Sequence, residues 1–172
     1  MAKAKEGDTL LTISALGLRV YIGFVALAIA VIGCGIVVML VAPPADIAGQ
    51  LASAPPAIRP LALACAAIIA VILVLGILFA VQLVRIIGTV KNGDPFEPAN
   101  ADRLTRMGWY ALAGTVASWL ADGMARVISG HFKSLEVHAE PVGGLTLVVT
   151  LFILARVFRH GAAMRDDLIG TV

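Results

Sequence analysis

Charge is what this sequence has least of. Only 14% of its 172 residues are Asp, Glu, Lys or Arg, against about a quarter in soluble domains. Such scarcity excludes a chain whose whole surface faces water. Lipid is left as the solvent for most of it, in keeping with 60% hydrophobic residues and a mean hydropathy of +0.97. Cysteine is scarce as well. Cys34 and Cys65 both fall inside apolar stretches, lack the paired spacing of a metal knuckle or redox motif, and read as small buried hydrophobes. A formal net charge of +2 without a long basic run argues against direct nucleic-acid binding. Missing too are His-Glu-x-x-His, a phosphate loop and any nucleophile-base set. The sequence therefore predicts a non-enzyme with no catalytic residues, no cofactor and no metal site.

What is present is long apolar runs. Residues 20–42, 61–87, 107–128 and 142–158 predict one membrane domain, an all-α bundle of four transmembrane helices, since about 20 residues cross about 30 Å of hydrocarbon. The fourth run is short, and Arg156 in its last turns would snorkel to the headgroups. Lys3, Lys5, Arg19, Arg85, Lys91, Arg103, Arg106, Arg156, Arg159 and Arg165 lie on one side of this scheme, and Arg59, Arg126 and Lys133 on the other. That bias predicts both termini, a loop over 88–106 and a tail over 159–172 in the cytoplasm of a bacterial inner membrane. Tyr21, Trp109 and Tyr110 would mark the same boundary. Val31-Ile32-Gly33-Cys34 resembles a lipoprotein cleavage box, but the chain stays apolar from Gly35 to Ala42, where a mature lipoprotein would turn polar, so an intact first span is expected.

Small residues recur at intervals of four: Ala113, Ala117, Ala121 and Ala125, with Gly114 and Ser118 beside them, then Ala62, Ala66 and Ala70, and Ala26, Ala30 and Cys34. Such ridges let helices approach closely, within one chain or in a homodimer. Asp122 is the acid inside a span. Its cost in hydrocarbon makes it a candidate solute or proton site, while Arg126 at i+4 offers a structural ion pair. Gln82 and Thr115 are further polar span residues without a constellation. Outside, a proline-rich connection over 43–60 and a segment carrying His131, Glu136, His138 and Glu140 leave little room for a binding domain.

The most informative polar stretch runs from Lys91 to Trp109. Asn92-Gly93 ends a helix, Asp94-Pro95 keeps it from resuming, and Phe96 is the large apolar group that would tuck under the bundle. A helix restarts at Pro98 or Asn100, with Arg103 and Arg106 at i and i+3. GDPFEPANADRLTRMGW and the tail RVFRHGAAMRDDLIGTV resemble the bacterial domain-of-unknown-function 2975 family of small four-span membrane proteins. The matching positions are Gly93, Pro95, Phe96, Asn100, Arg103 and Leu104, then Arg159, Gly161, Asp166 and Asp167, and the likeness is expected to cover nearly the whole chain. The resemblance implies a small helix-turn-helix regulator of the Xre/Cro type as a partner. The expected function is a regulatory membrane protein that sequesters it, through Asp94, Phe96, Asn100, Arg103, Arg106, Arg159, Arg165, Asp166 and Asp167. The competing expectation is a small transporter or channel subunit with its polar site at Asp122.

Overall fold

The structure is a computed structural model that describes residues 2–41, 55–130 and 141–169, and every described element is helical. In chain order these are α1 (Ala2–Val41), α2 (Ile58–Lys91), α3 (Pro98–Ser129) and α4 (Pro141–Ile169). The segment carrying His131, Glu136, His138 and Glu140 lies outside the described residues, as do residues 43–54 of the proline-rich connection expected over 43–60, whose last three residues instead begin α2.

Each helix packs extensively on its neighbours in sequence: α1 on α2, α2 on α3, α3 on α4. Contacts along their lengths fix the directions. Lys91 Nζ donates to Thr12 Oγ1 at 2.9 Å, Asn100 meets Thr89, and Cys65 Sγ lies 3.8 Å from the carbonyl oxygen of Ala121. Further along, Phe152 packs on Gly108 and Trp109, and Arg159 meets Asp102. All neighbouring helices are therefore antiparallel, and the bundle is an up-down row. The start of α1, the α2–α3 turn and the end of α4 share one end of it.

Among the described residues three helical stretches are long and apolar enough to cross a membrane: Thr12–Val38, Ile58–Lys91 and Gly144–Arg165. The expected third span, on α3, is not among them. Its Thr115, Ser118, Asp122 and Arg126 lower the hydropathy of a helix that runs beside apolar α2 and α4 for its whole length. A helix flanked on two sides shows less of itself to lipid, so Asp122 is buried and Thr115 and Ser118 are partly covered, while Arg126 stays exposed.

The densest packing lies toward the turn end, where Leu104, Met107, Leu151 and Ala155 are buried together against Phe79, Leu83, Ile86, Ala111 and Phe158. Helix α1 stands apart from this core. Of its described side chains only Val25 is buried.

Candidate functional site

The α2–α3 turn follows from its residues. Gly93 adopts φ +84, its N–H donates to the carbonyl of Val90 at 3.1 Å, and that of Asp94 donates to Thr89 at 3.1 Å. This paired bonding closes the last orphan carbonyls of α2 and needs a left-handed residue, which glycine supplies without steric cost. Pro98 then opens α3, where its missing N–H costs nothing.

Asn100 is the hub of the turn. It is 0% exposed. Its Nδ2 donates to Thr89 Oγ1 at 2.7 Å and to the carbonyl of Pro95 at 3.0 Å, while its Oδ1 accepts from Arg103 Nη1 at 2.7 Å. Arg103 in turn lies 3.7 Å from Glu97. Four expected surface features are thereby sorted. Asn100 and most of Arg103 are used inside the turn, Phe96 remains 42% exposed, and Arg106 points outward.

Two ion pairs tie the turn end of α3 and the turn itself to α4. Arg165 donates to Asp94, and Arg159 lies 3.3 Å from Asp102. Between them Phe96 stacks at a tilt on Phe158, with ring centroids 5.5 Å apart, and rests on Gly161, where a Cβ would come within 2.9 Å of the ring. The hydrogen bond from the Arg165 guanidinium holds the Asp94 carboxyl below its ordinary value. The structure thus brings Asp94, Phe96, Arg159 and Arg165 onto one clasped surface. The side chains of Asp166 and Asp167 lie outside the described residues. Thr89, Asp102 and Phe158, which complete the cluster, were not singled out by sequence. A polar side chain late in an apolar run, as Thr89 is, was the available signal for one of them.

Just inside this cap the helices carry a ring of exposed arginines, Arg19, Arg85, Arg106 and Arg156, one from each. Counted from the Thr12–Lys91, Thr89–Asn100 and Asp102–Arg159 contacts, all four stand roughly 6–9 Å from the Asn100 level at 1.5 Å per residue. Arginines at that height mark a headgroup boundary, to which their long stems let them reach.

Asp122 lies at the other end. It is buried at 8% exposure, and its Oδ2 accepts from Arg126 Nε at 2.9 Å while Oδ1 has no hydrogen-bond partner among the described residues. From the Arg106 level to Asp122 is about 24 Å along α3, most of the roughly 30 Å thickness of a hydrocarbon core. Arg126, one turn further on, is 76% exposed at its side chain. The Oε1 of buried Gln82 is also without a partner. No group of three or more metal-ligating side chains occurs among the described residues.

A row of long apolar helices capped at one end by a clasped polar turn defines a multi-span helical membrane protein. The chain belongs to the family described as protein of unknown function (DUF2975), whose model matches residues 46–172. The match begins after α1, so it is shorter than the nearly full-length likeness expected from sequence, and it coincides with the α2–α4 unit that holds the core and the clasp. No curated protein and no solved structure matches the chain.

Proposed function

We propose that the protein is a non-enzymatic regulatory protein of a bacterial cytoplasmic membrane, whose clasped face binds and sequesters a small helix-turn-helix regulator of the Xre/Cro type. The observation that carries this reading is the clasp itself. Exposed ion pairs contribute only about 0–1 kcal/mol each to stability, so Asp94–Arg165 and Asp102–Arg159 are poor candidates for pure struts. What they do is hold charges of both signs around a half-exposed phenyl ring, the arrangement of an apolar anchor with a polar rim. The excess of Lys and Arg at this end, with the arginine ring behind it, supports a cytoplasmic orientation for the turn and both termini. The kind of partner comes from the family resemblance. Co-expression with a regulator encoded beside it should move that regulator into the membrane fraction, and Phe96→Ala should return most of it to the cytosol. A regulator that partitions identically with and without the protein would sink the proposal.

A second reading, a small transporter or channel subunit, is favoured by the unpartnered Oδ1 of buried Asp122. Its height, most of a hydrocarbon core away from the arginine ring, and its pairing with Arg126 support a structural role instead. Asp122→Asn should leave solute flux across reconstituted vesicles unchanged, and a flux that depends on Asp122 would reverse that preference.

A further inference from the structure

The face of α4 that turns away from the core carries an open groove of about 870 Å³. Its apolar wall is Phe96, Ile153, Val157 and Met164, and its polar rim is Arg156, Arg159 and His160. The two sets follow from helical spacing. Ile153, Val157, Gly161 and Met164 form one stripe, and Arg156, Arg159 and His160 fall at i, i+3 and i+4 on the adjoining one. Gly161 leaves the gap into which Phe96 leans from the turn, so the groove is built from two separate parts of the chain.

We propose that this groove seats an anionic phospholipid, its phosphate held by Arg156 and Arg159 and one acyl chain lying along Val157 and Ile153. Three observations support that occupant. Arg156 is exposed at the height of the arginine ring, inside the apolar stretch Gly144–Arg165, and has no protein anion against it among the described residues. A cation in that position is stabilised by a lipid phosphate at the same level. Arg159 engages one Asp102 oxygen through one nitrogen, and among the described residues nothing else is shown against its remaining guanidinium donors, which can serve a second anion. Phe96 and Met164 lie on the outer side of the rim, and the exposed apolar surface continues inward from Val157 through Ile153 and Val149, as a chain attached to that phosphate requires. The proposal rests on the membrane setting of α4, and the groove shares Phe96 and Arg159 with the face proposed for the regulator, so it is tested with the protein free of any regulator.

Native mass spectrometry of the full-length protein in detergent tests it, with dioleoyl phosphatidylglycerol or dioleoyl phosphatidylcholine added at equal concentration. The phosphatidylglycerol adduct should exceed the phosphatidylcholine adduct, and Arg156→Gln should lower it about fivefold, the usual contribution of one basic residue at an anionic membrane surface. The phosphatidylcholine signal should stay unchanged, and millimolar inorganic phosphate should not displace the lipid. Equal retention of the two lipids, or an unaltered adduct in Arg156→Gln, overturns the proposal. Displacement by inorganic phosphate overturns it in favour of a small-anion site. Should Arg156→Gln fail to fold, Ala163→Trp fills the groove from its wall and must abolish the phosphatidylglycerol adduct, whose persistence would equally overturn the assignment.

Discussion

Asn100 shows how a residue can stand out in sequence for one reason and matter in the structure for another. Its place after a Gly-Asp-Pro-Phe turn suggested a surface contact, yet all its hydrogen-bonding capacity is directed inward to Thr89, Pro95 and Arg103. Pro95 and Arg103 are near neighbours in sequence, but Thr89 arrives only after α2 and α3 fold back on each other, so a linear reading could not pair it with Asn100. Asn100→Ala should cost about 2–3 kcal/mol, because Thr89 and Arg103 lose a buried partner. Thermal unfolding in detergent would measure it, and a loss under about 0.5 kcal/mol would be at odds with a buried hub. Asp94 behaves differently because its carboxyl is held below the ordinary value by Arg165. A depressed carboxylate adds stability above its unfolded value, and that stability is lost as pH falls through the lowered folded one. Spin labels at Asn92 and Ala163 should therefore report a constant turn-to-α4 distance from neutral pH downward, with separation starting only below about 3.8, the ordinary value.

At the scale of the helices, length and apolar content made all four elements legible, and their turn chemistry located the α2–α3 reversal at Gly93. Helix α3 was harder to place correctly. Its alanines at intervals of four were read as one ridge, but four residues exceed a turn by about 40°, and the row winds around the helix. Ala121 and Ala125 are buried while Ala113 is exposed. A tight approach of α3 to α4 comes instead at Thr115 and Gly144, where an added Cβ would lie 2.5 Å from the Thr115 hydroxyl oxygen and 2.9 Å from its methyl. Gly144→Leu should force the pair apart and cost about 1–3 kcal/mol as overpacking, whereas Gly114→Ala, with open space around its position, should be nearly neutral. Comparing their melting temperatures checks both. A Gly144→Leu protein as stable as its parent would mean that this crossing is not tight.

For the whole molecule, the up-down row puts the arginine ring, the clasped turn and the end of α4 together. Charge counting predicts that this end is the cytoplasmic one, but the clasp itself depends on pairings across as many as 71 residues that no local pattern announces. Single cysteines at Asn92 and Ala163, in a chain whose Cys34 and Cys65 are replaced, should both resist an impermeant thiol reagent in intact cells and react after permeabilisation. The central claim is that turn and tail act as one surface toward a cytoplasmic partner. The most direct measurement is membrane retention of the neighbouring helix-turn-helix regulator across a charge-swap cycle at the clasp. Retention should fall in Asp94→Arg and in Arg165→Asp and recover in the double swap. Equal retention in all four proteins, or loss in the double swap as deep as in either single change, would contradict it.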